Sequence, residues 1–149
     1  MAKILHTIGL ALLANALELD DLNEESSNAV VLDTSNFYDL VVDTSSNRLK
    51  SEKPWFIKFY APWCGHCKRL APTWEELATL HPNELNVGKV DCTTDLGKPL
   101  CSDYEVRGFP TVLFFPAGED LNDRYYKYEG MRSLSDLEDF ALKGSFSSS

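Results

Sequence analysis

At 149 residues, with 44% hydrophobic and 25% charged side chains, the chain is long enough to bury one core of ordinary size. Its formal net charge of −9 argues against a nucleic-acid binder, which needs a basic face. No apolar run approaches the ~20 residues of a membrane-spanning helix.

The chain opens as a secretion signal would. Lys3 gives a basic start, Ile4 to Leu13 is mostly apolar, and Ala14-Asn15-Ala16 fits the small-residue cleavage rule. Residues 1–16 are therefore read as a signal peptide; the alternative is a helix packed on the domain. Residues 17–29 form an acidic, polar lead without a core-forming pattern. A single domain is expected over 30–143, followed by a flexible Gly/Ser tail, 144–149. That C-terminus is not a Lys-Asp-Glu-Leu-type retention signal.

Within the domain, Val30-Val31-Leu32 reads as a first strand. Ser35 or Asn36 is placed to cap a helix from Phe37 to about Val42. Thr44 to Lys53 is polar and loop-like. Trp55 to Tyr60 is apolar except for Lys58, the pattern of a buried central strand. Leu70, Trp74, Leu77 and Ala78 share one face of a helix that Pro72 should kink and His81-Pro82-Asn83 should end. Val87 to Asp91 is a short strand, and Leu100 to Tyr104 a brief helical turn. Thr111 to Phe115 is a strong strand, Ala117 to Asp120 a turn, and Tyr125 to Tyr128 a last strand. Ser133 caps a final helix carrying Leu134, Leu137, Phe140 and Ala141. Strand–helix alternation predicts parallel pairing early and an antiparallel pair at the end. The fold class is thus α/β, a mixed sheet with helices on both faces.

The chemistry is concentrated at Cys64-Gly65-His66-Cys67, between an apolar strand and a helix. The helix N-terminus favours a thiolate at Cys64, and Cys67 lies one turn on, within reach to close a disulfide. The two residues suit thiol–disulfide exchange through a mixed disulfide. A static disulfide or half of a zinc site are the alternatives. Zinc needs two more ligands, and Cys92 and Cys101, with eight residues between them, do not resemble a second knuckle. Imidazolium at His66 would stabilise the neighbouring thiolate; a solvated loop histidine is the alternative. Trp63, Phe109 and Tyr60 supply apolar surface suited to unfolded chains.

Phe59-Tyr60-Ala61-Pro62-Trp63-Cys64-Gly65-His66-Cys67-Lys68 with Leu70-Ala71-Pro72, then Val106-Arg107-Gly108-Phe109-Pro110-Thr111, then Tyr128-Glu129-Gly130-Met131-Arg132, resembles the catalytic domain of protein disulfide isomerases. The likeness is nearest to the endoplasmic-reticulum member with three such domains. It implies a thioredoxin fold and an oxidoreductase or isomerase acting on client proteins in the endoplasmic-reticulum lumen, or secreted. An upstream oxidase or glutathione would reset the Cys64–Cys67 disulfide, with no metal or organic cofactor required. The resemblance implies catalytic roles for Cys64, Gly65, His66, Cys67 and Arg107, the arginine swinging toward Cys67. It further implies a cis Phe109–Pro110 bond facing the thiols, with Trp63, Phe109 and Pro110 binding clients. A structural Cys92–Cys101 disulfide is expected on the same ground; free thiols or a second redox pair are the alternatives.

Lys58, six residues before Cys64, departs from the family, which usually buries a proton-relaying glutamate there. A buried lysine could serve as a neutral amine, or snorkel to water. A client-binding chaperone, with the thiols secondary, and a reductase of a reducing compartment are the rival functions.

Overall fold

The computed structural model describes residues 27–118 and 125–144. Its elements are β1 (Val30–Val31), α1 (Phe37–Leu40), β2 (Val42–Asp43), β3 (Arg48–Leu49), β4 (Trp55–Tyr60), α2 (Gly65–Leu80), β5 (Asn86–Asp91), α3 (Lys98–Asp103), β6 (Thr111–Phe115), β7 (Tyr126–Lys127) and α4 (Leu134–Lys143). The segment 1–16 expected to be a signal peptide, residues 17–26 of the acidic lead, the end of the turn at Glu119-Asp120 and the tail 145–149 lie outside the described residues. None of these helices is long and apolar enough to cross a membrane.

Five strands form one sheet in the order β1-β5-β4-β6-β7. β4 pairs parallel with β5 and antiparallel with β6, and β6 pairs antiparallel with β7. This is the expected mixed sheet, a thioredoxin fold. Side chains alternate between the faces of a strand, so β4 builds two cores. Trp55, Ile57 and Phe59 join Phe37 of α1 and Leu100 of α3 on one face. Phe56 joins Leu70, Trp74 and Leu77 of α2 and Leu137 and Ala141 of α4 on the other. Full burial of a side chain such as Phe56 contributes about 1.5–3 kcal/mol. By the same period Lys58 faces α2, not solvent.

The helix ends are set by their caps. Ser133 Oγ accepts the Asp136 N–H, and Gly144 closes α4 in the left-handed region at φ 67°. α2 runs unbroken through Pro72 and stops at His81. It docks on the sheet through Trp74, whose Nε1–H donates to the Gly88 carbonyl at 2.9 Å and whose ring lies 5.0 Å from that of Phe56.

Two expectations need correction. Val42 does not extend the first helix; α1 ends at Leu40, and Val42 begins a small hairpin within what reads as loop. The cause is turn chemistry: the Asp43 carboxylate accepts the Ser45 N–H at 2.9 Å, and Asn47 takes φ 52°, which asparagine tolerates. At the start of α1, Asn36 occupies the cap position without a side-chain capping bond. Its side chain instead accepts from the Asp33 N–H and donates to the Val31 carbonyl, pinning the loop to β1.

Candidate active site

β4 ends at Tyr60, and the chain turns through Ala61-Pro62-Trp63 into α2, with the Cys64 N–H donating to the Ala61 carbonyl at 3.1 Å. Cys64 therefore becomes the N-cap of α2, in extended backbone at φ −76° and ψ 124°. Its Sγ accepts the Cys67 N–H at 3.4 Å and lies 3.6 Å from the Phe109 carbonyl, to which the thiol donates. The hydrogen bond from the Cys67 thiol lowers the Cys64 pKa; burial opposes it, and the backbone N–H groups of Cys67 and His66 and the charge of Arg132 reinforce the lowering.

Cys67, one turn on, has the opposite environment. It is 3% exposed, and burial first, then its bond to Cys64, push its thiol up to about 11. Both cysteines are free thiols here. The outer sulfur is thus acidic and the inner one protonated at neutral pH. A disulfide joins Cys92 and Cys101 at an Sγ–Sγ distance of 2.06 Å, tying the end of β5 to α3.

Behind Cys67 lies a cavity of about 140 Å³ bordered by Lys58, Tyr60, Lys68 and Lys89. Lys58 is 3% exposed, so it does not snorkel. Burial first, then the charge of Lys89, lower its pKa to about 8, while Glu75 and Cys67 oppose them. Its Nζ stands 5.1 Å from the centroid of the Tyr60 ring.

The Arg69 guanidinium donates to His66 Nδ1 at 2.7 Å. The positive charge felt by Cys64 comes from Arg132, in the segment before α4. At Gly65 an added Cβ would make only an ordinary contact, 3.8 Å from Arg69 Nη1. Arg107 is exposed on the wall of a groove and is not among the leading charges acting on either thiol.

That groove, about 600 Å³, runs past Phe109 and Pro110 to Tyr128, Glu129 and Arg132. The Phe109–Pro110 bond is cis. Trp63 is 69% exposed, and its ring meets that of Phe109 edge to face at 5.9 Å. An apolar ledge therefore flanks the reactive sulfur.

Arg132, Arg69, Glu75 and Lys89 have no role assigned from sequence. Arg132 ends a quoted motif, but nothing in the order of residues places it near Cys64. Lys89 stands opposite Lys58 because β5 pairs with β4 in that register. The apolar runs predict both strands but not their alignment.

The fold thus sets Cys-Gly-His-Cys at a helix N-terminus, directly after a central strand, with the Phe109 carbonyl and the cis Phe109–Pro110 bond beside it. The chain belongs to the thioredoxin family, whose model, described as Thioredoxin, matches residues 28–143. Among curated relatives, it is 44% identical over 117 residues to protein disulfide-isomerase 2-3 of Arabidopsis thaliana, covering 78% of this chain and 24% of that protein. It is 46% identical over 119 residues to the protein disulfide-isomerase-like protein EhSep2 of Emiliania huxleyi, covering 78% of this chain and 48% of that protein. The chain thus spans at most about half the length of these relatives. Among solved structures, the J-Trx1 fragment of ERdj5 superposes with a TM-score of 0.65 at 32% identity, covering 80% of this chain and 51% of that one.

Proposed function

We propose that this domain forms and rearranges disulfides in client proteins through Cys64 and Cys67. The observation that carries the reading is the opposed environment of the two sulfurs: Cys64 lowered at the mouth of α2, Cys67 raised behind it. The acidic outer sulfur is both attacking group and leaving group.

In oxidation, a client thiolate attacks Sγ of Cys64 in the Cys64–Cys67 disulfide. Cys67 leaves as a thiolate and takes up a proton, and the client is held as a mixed disulfide. A second client thiolate then attacks the client sulfur and expels the Cys64 thiolate, leaving one client disulfide and a reduced pair. In the reverse direction Cys67 gives up its proton and attacks Sγ of Cys64, which frees the client thiol. For isomerisation the mixed disulfide is resolved by another client cysteine, with no net redox change. Lys58, whose amine pKa is brought down to about 8, is the group that exchanges the proton with Cys67. Trp63, Phe109 and the Pro110 loop form the client contact, and Arg107, which lines the groove beside Phe109 and Pro110, is the candidate cation for Cys67.

An oxidising compartment, the endoplasmic-reticulum lumen or the secreted space, suits both the Cys92–Cys101 disulfide and the apolar N-terminal stretch. Glutathione disulfide, reduced in turn to two glutathione thiols, or a dedicated oxidase would take up the two electrons of the reduced pair and restore the Cys64–Cys67 disulfide. The exposed ring of Trp63 favours a second, weaker reading as a client-binding module.

Equilibration of the Cys64–Cys67 pair with glutathione tests the proposal. The expected midpoint is close to about −180 mV, and a value near about −270 mV would assign the domain to reduction instead. The Cys64→Ser, Cys67→Ser double variant should fail to reactivate reduced, scrambled ribonuclease. Suppression of aggregation retained by that variant would support the client-binding role.

A further inference from the structure

Lys58 on β4 and Lys89 on β5 are register partners in adjacent parallel strands. Their side chains leave the sheet on the same face, toward α2, and both border the cavity behind Cys67. Two like charges so placed repel each other. Among the described residues no carboxylate forms an ion pair with Lys58. Lys89 has one: its Nζ lies 2.9 Å from Glu75 Oε1, on α2.

Glu75 is itself firmly held. Its carboxylate accepts the Asn28 N–H at 2.8 Å, the Ala29 N–H at 3.0 Å and the Ser27 hydroxyl at 3.0 Å, in the segment that enters the domain ahead of β1. Burial works against its charge, but the Ala29 N–H, Lys89 and Ser27 outweigh it and keep the carboxyl below its ordinary pKa. The carboxylate is therefore ionised and fixed at neutral pH, and it draws Lys89 toward itself.

We infer that Glu75 is a positioning residue for the second half of the exchange: by holding Lys89 it offsets the second cation beside Lys58, and so sets how readily Lys58 trades a proton with Cys67. This rests on the exchange reading above. The groups facing Lys58 are Lys89 from β5, Glu75 and Cys67 from α2, and Tyr60 from its own strand, with Lys68 at the cavity rim. The β6 partner of Lys58 is Val112, which carries no charge. Lys89 disfavours a proton on Lys58, and Glu75 favours one. A net shift in either direction thus reports which of the two has been removed.

The isosteric variant Glu75→Gln keeps one acceptor oxygen, which can serve the Asn28 and Ala29 N–H groups that share Oε2, while deleting the charge. It should lower the pH at which Lys58 titrates by roughly half a unit to one unit, followed by NMR of the labelled lysine ε-carbons. The pH midpoint for release of glutathione by Cys67 from a Cys64–glutathione mixed disulfide should fall with it. Lys89→Met, which leaves the Glu75 bonds to residues 27–29 in place, should move both midpoints upward. The double variant should return them between the single variants. A role for Glu75 in folding alone predicts no such opposition, so two single variants moving Lys58 in the same direction, or neither moving it, would overturn the inference. Attack of Cys64 on glutathione disulfide is the control. Its absence in the unaltered protein would sink the exchange reading, whereas normal attack with an unmoved Lys58 titration would sink only the role of Glu75.

Discussion

The carbonyl oxygen of Phe109 lies 3.6 Å from Sγ of Cys64, so the loop entering β6 closes over the same sulfur that the first turn of α2 presents. Beside that sulfur Trp63 stands exposed and meets the Phe109 ring edge to face, a surface that the proposed exchange would offer to a client. Reactive atom and apolar ledge are thus parts of one surface.

Truncation of that ledge should separate client binding from thiol chemistry. Trp63→Ala and Phe109→Ala are each expected to raise KM for an unfolded client about fivefold, near 1 kcal/mol of contact. The rate of Cys64 with glutathione disulfide, which does not use the ledge, should stay within about twofold. Steady-state kinetics with both substrates checks this. Equal losses on both would mean that the rings support the fold instead.

The acidity of Cys64 should be visible in alkylation. Because its pKa is lowered, chiefly by the Cys67 hydrogen bond, the iodoacetamide rate should reach half-maximum below the pH that ordinary cysteine requires, near 8.5. Arg132→Gln should move that midpoint upward, since the arginine favours the thiolate. High salt should shrink the difference between variant and parent, because an exposed charge is readily screened.

Lys58 should cost the fold stability at neutral pH. Burial and Lys89 bring its pKa down from 10.5 to about 8. Between those values the unfolded chain holds a proton that the folded chain has released, so stability rises with pH across that window and is lowest below pH 8. Lys58→Met should therefore stabilise the protein at pH 7 by on the order of 1–2 kcal/mol, after allowance for screening through the adjoining cavity. It should also flatten the rise between pH 8 and 10.5. Urea midpoints across pH read both effects. Slower release of mixed disulfides in the same variant would tie the buried amine to exchange.

The Cys92–Cys101 disulfide should act on stability and not on exchange. It closes a short loop with a sequence separation of 9 residues, and Cys101 packs in the core with Leu100 and Phe37. Cys92→Ala with Cys101→Ala should lower the unfolding free energy by about 2–3 kcal/mol. The midpoint of the Cys64–Cys67 pair against glutathione should be unchanged.

The order of residues by itself determined the strand from Trp55 to Tyr60, the strand from Thr111 to Phe115 and the helix capped by Ser133. Apolar periodicity and capping chemistry act over a few neighbouring positions, so these elements are legible locally. It also determined where the thiols stand, because a cysteine pair between a strand and a helix can only sit at that helix's N-terminus. Only the tertiary structure decided what surrounds them. The pairing of Lys58 with Lys89 depends on strand register, the reach of Glu75 on how α2 lies across the sheet, and the arrival of Arg132 near Cys64 on a return of the chain 68 residues later. The Arg69 contact to His66 Nδ1 depends on rotamers in one turn of helix. Such relationships join residues distant in sequence or set by side-chain geometry, and no local pattern encodes them.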